Sequence, residues 1–386
     1  MSCGLLYGIG LTIMFQRFGL LAFVKRQQWN YRVLLIRRAA EGFFLRLSHQ
    51  YTSLFARALG ADPVQLGLLF GTGNAVNMAV SIPTGWMIDR YSLRRLILFG
   101  MIIETLVPLA YALAWDLRLV LVAIILSSIT SMGGGITYEI DRVYLASSLR
   151  DNDRATGFGM SDTLGTIPSL IVPMIAAFIV MSSGGINAGG IRPLFYMQLA
   201  GLCPLCVAIY LLLKEPATKG DVGTGSFFKD FLEVFEGETA LKTYIFMEVL
   251  GGLIWGMSFT FATLYAVEVK GATPLILGYM GIASSLSQLT FSAPIGRLAD
   301  KIGRKKAIYV TRPIYYATLL ILVLAQAPEY LILAWICLGF PFERMVFDTM
   351  CMEMVPEKKR GRWMALVLFF RSIARVPAPF IGGLLY

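Results

Sequence analysis

Apolar runs of about twenty residues recur along nearly the whole chain, and a short polar or Gly/Pro segment ends each one. At about 1.5 Å of rise per residue such runs match a hydrocarbon core about 30 Å thick, so they predict membrane-spanning helices. Spans are expected at residues 34–57, 64–88, 96–115, 119–142, 156–182, 192–213, 243–267, 273–298, 306–326, 329–350 and 362–386, eleven in all. A further apolar stretch, 4–24, is interrupted by Gln16 and Arg17 and stands apart. The strict alternation of a membrane barrel strand is missing from the sequence.

The pattern repeats. A shift of 211 residues lays Gly60-Ala-Asp-Pro-Val-Gln-Leu-Gly67 over Gly271-Ala-Thr-Pro-Leu-Ile-Leu-Gly278, and then Ser81-Ile-Pro-Thr-Gly85-Trp-Met-Ile-Asp89 over Ser292-Ala-Pro-Ile-Gly296-Arg-Leu-Ala-Asp300. A shift of 206 later pairs Gly133 with Gly339, Arg154 with Arg360 and Pro173-Met-Ile-Ala-Ala177 with Pro379-Phe-Ile-Gly-Gly383. Parallel repeats of about six spans suit two bundles that rock about a midplane site. The predicted parts are an extension at 1–32 with a candidate extra membrane helix, a six-helix bundle at 33–213, a linker at 214–242 and a second bundle at 243–386.

Composition agrees with a lipid solvent: 56% of the 386 residues are hydrophobic and 15% charged. The net charge of +10 would suit nucleic acid, but the basic residues sit on one side of the predicted topology. That side holds Arg90, Arg94, Arg95, Arg150, Arg154, Lys214, Lys242, Lys301, Lys305, Lys306, Lys358 and Lys359, against Arg57, Arg118, Arg192 and Lys270 on the other. The asymmetry places the linker, and the residues just before the first span, in the cytoplasm of a multi-pass protein of the cell membrane. The five cysteines mostly lie inside apolar spans, where they read as small hydrophobes and imply no disulfide framework. Residues 1–10 lack the basic start of a cleavable signal.

Gly296-Arg-Leu-Ala-Asp300-Lys301-Ile-Gly303-Arg304-Lys305 resembles the signature loop of the major facilitator superfamily: Gly, three residues, Asp, a basic residue, one residue, Gly, then two basic residues. The first-half copy, Gly85-Trp-Met-Ile-Asp89-Arg90-Tyr-Ser-Leu-Arg94-Arg95, departs from it at Ser92 and Leu93. The resemblance covers about residues 33–386 and implies an all-α integral membrane fold of two pseudo-symmetric six-helix bundles. It also implies a cavity lined chiefly by the first and fourth spans of each half. A cytoplasmic gate is expected from Gly85, Asp89, Arg90, Arg94, Gly296, Asp300, Lys301, Gly303 and Arg304, with Asp141 beside them. Features of the family's drug exporters are weaker: Ile124 to Thr137 carries no charge, and the fifth span lacks the Gly-Pro and Gly-Gly of their motif.

Charged side chains inside spans are expected to face a cavity or a partner. In the first span Arg38, Glu41, Gly42, Arg46, His49, Ser53 and Arg57 share one helical face. His49 is the only histidine and suits a proton carrier, while Arg46 suits an anionic group. The expected substrate and proton cavity comprises Glu41, Arg46, His49, Asp162, Glu343, Arg344, Arg371 and Arg375, and Glu104, Glu248 and Arg312 complete the charged set. A polar stripe of the second span, Asn74, Asn77, Ser81 and Thr84, reads as helix-packing glue. No nucleotide loop, metal constellation or convergent catalytic set is present in the sequence, so neither a cofactor nor an enzyme is expected.

The second half reads one helix short, and stretch 4–24, with its basic flank Lys25, Arg26 and Arg32, has the direction that a permuted twelfth helix would need. The expected function is secondary transport of a small polar or anionic solute by alternating access, with protons as the candidate coupling ion. The expected partners are that solute, protons and membrane lipid, with no nucleic acid, around a monomer. The alternatives are a drug or hydrophobic-compound exporter of the same superfamily and a non-transporting membrane receptor or scaffold.

Overall fold

The computed structural model describes residues 20–130, 136–150, 153–215, 239–340 and 360–386, and every described element is helical. The first span is Trp29–His49 followed, after a kink, by Thr52–Ala58; it begins about five residues earlier than its hydropathy suggests. Next come the second span, Pro63–Arg90, the third, Leu93–Ala112, and the fourth, seen as Leu117–Thr130 and Ile136–Ser147. The fifth is Arg154–Thr166, a 3-10 turn at Ile167–Leu170, and Val172–Ser182; the sixth is Ala188–Leu212. The second half has Thr239–Glu268, Pro274–Ile302, Arg304–Leu324, Tyr330–Gly339, and an eleventh span divided into Arg360–Arg375 and Ala378–Leu385.

Equivalent sequences build equivalent local structure. Gly60 and Gly271 both turn with positive φ, 96° and 72°. Asp62 and Thr273 then cap the second and eighth spans, accepting from the backbone of Gln65 at 2.7 Å and of Ile276 at 3.4 Å, and Pro63 and Pro274 open the helices. The two signature loops differ for a backbone reason. Gly303 turns at φ 89°, whereas Ser92 keeps φ −64° and accepts from the Arg95 amide at the start of the third span. Glycine is therefore needed in one copy only.

The two ends of the molecule are marked by side-chain ties. Trp29 Nε1 donates to the Leu212 carbonyl at 2.9 Å and Arg94 Nη2 to that of Tyr210 at 2.8 Å, so the start of the first span, the second-to-third loop and the end of the sixth span share the linker end. Tyr144 reaches the Lys214 carbonyl there too. The helix Leu20–Arg26 packs on this end of the first half, Phe23 edge-on to Tyr31 and Arg26 on Asp153 at 2.8 Å. Residues 4–19, most of the stretch weighed as a permuted helix, lie outside the described residues.

Five described segments are long and apolar enough to cross a bilayer by themselves: Leu93–Ala112, Thr156–Ser182, Ala188–Leu212, Lys242–Glu268 and Lys305–Leu324. Outward large side chains such as Phe99, Ile102 and Leu106 on the third span and Tyr316, Leu320 and Val323 on the ninth present the apolar face that lipid requires. The second and eighth spans are not among the five, although both are nearly thirty residues long, because polar residues such as Asn74, Asn77, Ser285 and Gln288 lower their mean hydropathy.

At the far end the halves are sealed. One continuous apolar core there runs from Leu47, Phe55, Phe195 and Val180 in the first half to Phe261, Leu277, Met280 and Trp335 in the second. At the linker end the described residues fall into separate clusters: Tyr31, Ile97, Ile140 and Leu145 form one, and Ile295, Ala299 and Ala307 another. The seal rests on helix pairs that touch backbone to backbone. A Cβ on Gly67 would lie 2.4 Å from the Pro379 carbonyl oxygen, and one on Gly278 would lie 3.2 Å from that of Pro173. These contacts are equivalent under the repeat, as are Arg57 and Glu268, 211 residues apart, whose ion pair of 2.6 Å joins the halves at the far rim.

Gly67→Val should push the halves apart at this seal. We expect it to lower stability by about 1–3 kcal/mol, as overpacking does, and to speed maleimide labelling of an Ala272→Cys reporter in the buried far end. Unchanged labelling together with an unchanged thermal midpoint would refute the assignment of Gly67 to the seal.

Candidate functional site

Both the fifth and the eleventh spans are broken, at places that match under the 206-residue shift: Ile171 falls on Pro377 and Pro173 on Pro379. Before its break the fifth span packs on its own half, and the eleventh on the seventh span and also on the second; beyond the breaks both spans touch the other half as well as their own. A Cβ on Gly42 in the first span would lie 2.5 Å from the Gly165 carbonyl oxygen, and one on Gly252 in the seventh would lie 3.1 Å from that of Arg371. Beyond the breaks, Val172–Ser182 packs on the eighth span and Ala378–Leu385 on the second. Interrupted helices at corresponding positions in two repeats are where transporter folds place their sites.

Broken helices in an apolar solvent leave backbone groups that need new partners. At the start of the 3-10 turn, Arg46 Nη1 donates to the Gly165 carbonyl at 2.5 Å and to the Gly42 carbonyl at 3.2 Å. At the end of Arg360–Arg375, Asn74 Nδ2 of the opposite half donates to the Arg375 carbonyl at 2.8 Å. Asn74 thus crosses between the halves, a role beyond the helix glue read from its stripe. Asn77 stays within its half, donating to the Ser128 carbonyl at 3.0 Å.

The face of charges on the first span divides into two groups. Arg37 and Glu41 turn into the first half, where Arg37 Nε donates to Glu41 at 2.5 Å and its Nη1 to Asp141 of the fourth span. Arg37 is 1% exposed and Glu41 3%. Glu104 of the third span, also buried, lies within electrostatic reach of all three. Arg38, Arg46 and His49 lie on the other side; His49 is exposed one residue before Gln50, whose side chain reaches Gly281 of the eighth span. A small cavity is lined by Arg38, Asp141, Arg142, Phe158, Ser161 and Asp162, with Arg142 and Asp162 3.9 Å apart and both exposed.

In the second half Arg371 donates to Glu248 of the seventh span at 2.5 Å, and both are mostly covered. Arg371 stands where the first half has Gly165, so the two halves use the same helix crossing with different chemistry. Arg375 lies one turn further on, at the end of its helix and beside Gly252.

The expected cavity set is therefore spread over several surroundings. Glu41 belongs to the buried ion cluster, Arg46 to the break in the fifth span, Arg371 and Arg375 to the second-half crossing, and Asp162 and His49 to exposed surface. Glu343 and Arg344 lie outside the described residues. Of the gating set, Asp141 is engaged by Arg37 and Arg94 is tied to the sixth span, with its guanidinium 5.6 Å from the Tyr210 ring centre. Arg90, Asp300 and Lys301 are exposed at the linker end, Gly303 makes the turn, and Gly85, Asp89, Gly296 and Arg304 lie in the helices on either side. Arg37 was missed by sequence reasoning; its i, i+4 spacing to Glu41 was the available signal.

The Major Facilitator Superfamily model matches residues 47–379. None of the curated proteins matches the chain by sequence. Among solved structures the chain is similar to the nucleoside transporter NupG, with a TM-score of 0.75 at 13% identity over 92% of this chain and 90% of that one. It is similar to the D-xylose-proton symporter, with a TM-score of 0.68 at 13% identity over 91% and 88%. A bacterial homologue of the human lysosomal transporter Spinster, in an inward-facing and unoccupied conformation, gives 0.64 at 17% identity over 96% and 82%.

The Glu248–Arg371 pair can be isolated by a double-mutant cycle. Glu248→Gln and Arg371→Met should each lower the thermal midpoint, and the double variant should lose less than the sum, with a coupling energy of about 0.5–3 kcal/mol. Additive losses would show that the two side chains act independently.

Proposed function

Because the chain belongs to the Major Facilitator Superfamily, we propose that it is a secondary transporter that carries a small polar or anionic solute across the cell membrane by alternating access, coupled to protons. The observation that carries this reading is the division of the core. Among the described residues the halves share one apolar core at the far end and have separate clusters at the linker end. The space between them then opens toward the linker, which the charge asymmetry assigns to the cytoplasm.

Alternating access needs the seal to move. The outer pieces of the fifth and eleventh spans each pack on both halves, reaching the eighth and the second span of the opposite one. Rocking would bend each span at its existing break, where no regular helix has to be undone. The Arg57–Glu268 pair is a rim latch of the sealed state; as a part-exposed ion pair it contributes little by itself, so solute and protons can release it.

The anionic or polar character of the cargo is inferred from Arg38 and Arg142, which line one small cavity with Asp162, and from Arg46 further along the first span. Guanidinium groups keep their charge in such surroundings and bind carboxylate or phosphate through paired donors. A drug exporter would be expected to present an apolar cavity instead. Two of the similar structures are a nucleoside transporter and a D-xylose-proton symporter, both named for polar solutes.

The test is uptake into proteoliposomes from a panel of small polar and anionic solutes, with and without a pH gradient. Saturable flux that Arg46→Ala abolishes, and that falls when the gradient is collapsed, is expected. Flux that ignores the gradient would remove proton coupling, and selective uptake of apolar amines would replace the anionic cargo. Loss of pH dependence in His49→Gln would place the coupling proton on His49.

A further inference from the structure

The eighth and tenth spans touch backbone to backbone at Gly339, which lies against the Ser284 carbonyl with no room for a Cβ. Beside this contact runs a groove of about 370 Å³, lined by Tyr279, Leu286, Ser287 and Thr290 of the eighth span and Ile332 and Ile336 of the tenth. The groove is separate from the space between the halves. Gly278 and Gly281 turn one side of the eighth span toward Pro173 of the fifth, while Tyr279 and Leu286, 45% and 55% exposed, point away from it. That outer side meets lipid, so a molecule enters the groove from the bilayer.

One atom in the groove lacks the partner that its surroundings demand. The Ser287 hydroxyl is 4% exposed and makes no hydrogen bond. Nearby serines on the same helix are satisfied one turn back: Ser285 donates to the Gly281 carbonyl at 2.9 Å, and Ser292 to that of Gln288. Ser287 makes no such bond, and an unpaired hydroxyl is costly away from water.

Depth and charge narrow what can meet it. Ser287 lies midway along Pro274–Ile302, about 20 Å from either end at about 1.5 Å per residue. The polar parts of phospholipids stay near the membrane surfaces, so at this depth they offer only methylene chain, which would fill the groove and leave the hydroxyl unpaired. None of the described lining residues carries a charge, so the site offers an ion no counter-charge. The volume falls within the range of small-molecule sites, about 300–1,000 Å³. Of the neutral groups that can meet a hydroxyl, a carbonyl brings no donor of its own that hydrocarbon would leave unsatisfied.

We propose that this groove binds a neutral, lipid-soluble ring compound bearing a ketone-type carbonyl, taken up from the bilayer. Ser287 Oγ donates its proton to the carbonyl oxygen, and Thr290, one turn further along the same wall, presents a second hydroxyl. Leu286, Ile332 and Ile336 enclose the rings. A bound molecule bridges the eighth and tenth spans beside their contact, and so acts on the helix that also meets the fifth span at the seal. The site goes beyond the transport reading and does not depend on it.

The test uses benzophenone, a neutral ketone that inserts into neighbouring C–H bonds under near-ultraviolet light, on the whole protein in phospholipid vesicles, with labelled positions read by peptide mass spectrometry. Saturable labelling is expected at Leu286, Ile332 and Ile336. Fluorenone, a tricyclic ketone, should protect these positions at about tenfold lower concentration than fluorene, which has the same ring system without the oxygen. In Ser287→Ala that advantage should vanish with the thermal midpoint kept, and Ala283→Phe, which fills the groove, should abolish labelling there. Labelling that does not saturate and spreads evenly to lipid-facing positions such as Leu320 and Val323 would show that the groove holds acyl chain only, and would overturn the proposal. Equal protection by the two competitors, or an advantage that survives Ser287→Ala, would also overturn it. The comparison of competitors needs no variant, so it decides even if Ser287→Ala does not fold.

Discussion

A helix interrupted inside hydrocarbon cannot leave its backbone groups to water, and this protein interrupts its fifth and eleventh spans at matching positions of its two halves. Much of the central architecture answers that requirement. Arg46 supplies the donor at Gly165 and Asn74 the donor at the Arg375 carbonyl. Glycines at 42, 67, 252 and 278 let neighbouring backbones approach closely enough to enclose what remains. Beyond the breaks the fifth and eleventh spans each pack on both halves. The same feature that must be patched is therefore the one about which the halves can turn.

The internal duplication was then used unequally. The helix crossings, the caps at Asp62 and Thr273 and the paired Arg57 and Glu268 preserve the symmetry. The chemistry at the crossings does not: the first half places an arginine against a carbonyl, and the second places Arg371, from the carbonyl's own position, against Glu248. Ion pairs that are largely removed from water contribute specificity of position more than stability, since desolvation offsets most of their attraction. The buried Arg37 cluster and the Glu248–Arg371 pair can thus act as registers that hold particular spans together in one state and release them in another.

Much of this was legible in the sequence. Long apolar runs gave the spans, the basic loops gave a common end, and the two signature copies gave the family and the repeat. The second and eighth spans, expected from residues 64 and 273, start at Pro63 and Pro274, and even the departure at Ser92 has a local cause in its negative φ. The charged residues were visible as unusual, but their assignments were not. Arg38, Glu41 and Arg46 share one helical face, yet Glu41 looks into the bundle with Arg37 while Arg46 looks at the fifth span. Which way a residue near the edge of a helical face turns depends on the neighbour that meets it, and periodicity along one helix carries no information about that neighbour.

The sequence by itself determined a membrane solvent and a duplicated helical architecture, because burial in lipid acts on every residue of a span and leaves a strong, additive signal. Only the tertiary structure decided which charges pair, where the fifth and eleventh spans break, and which end is sealed. Those outcomes rest on single contacts between residues far apart in the chain: Arg37 with Asp141 over 104 positions, Asn74 with the Arg375 carbonyl over 301, Arg57 with Glu268 over 211. A directional bond is made or lost within an ångström, so its presence follows from how the helices are set against one another and not from the composition of either partner.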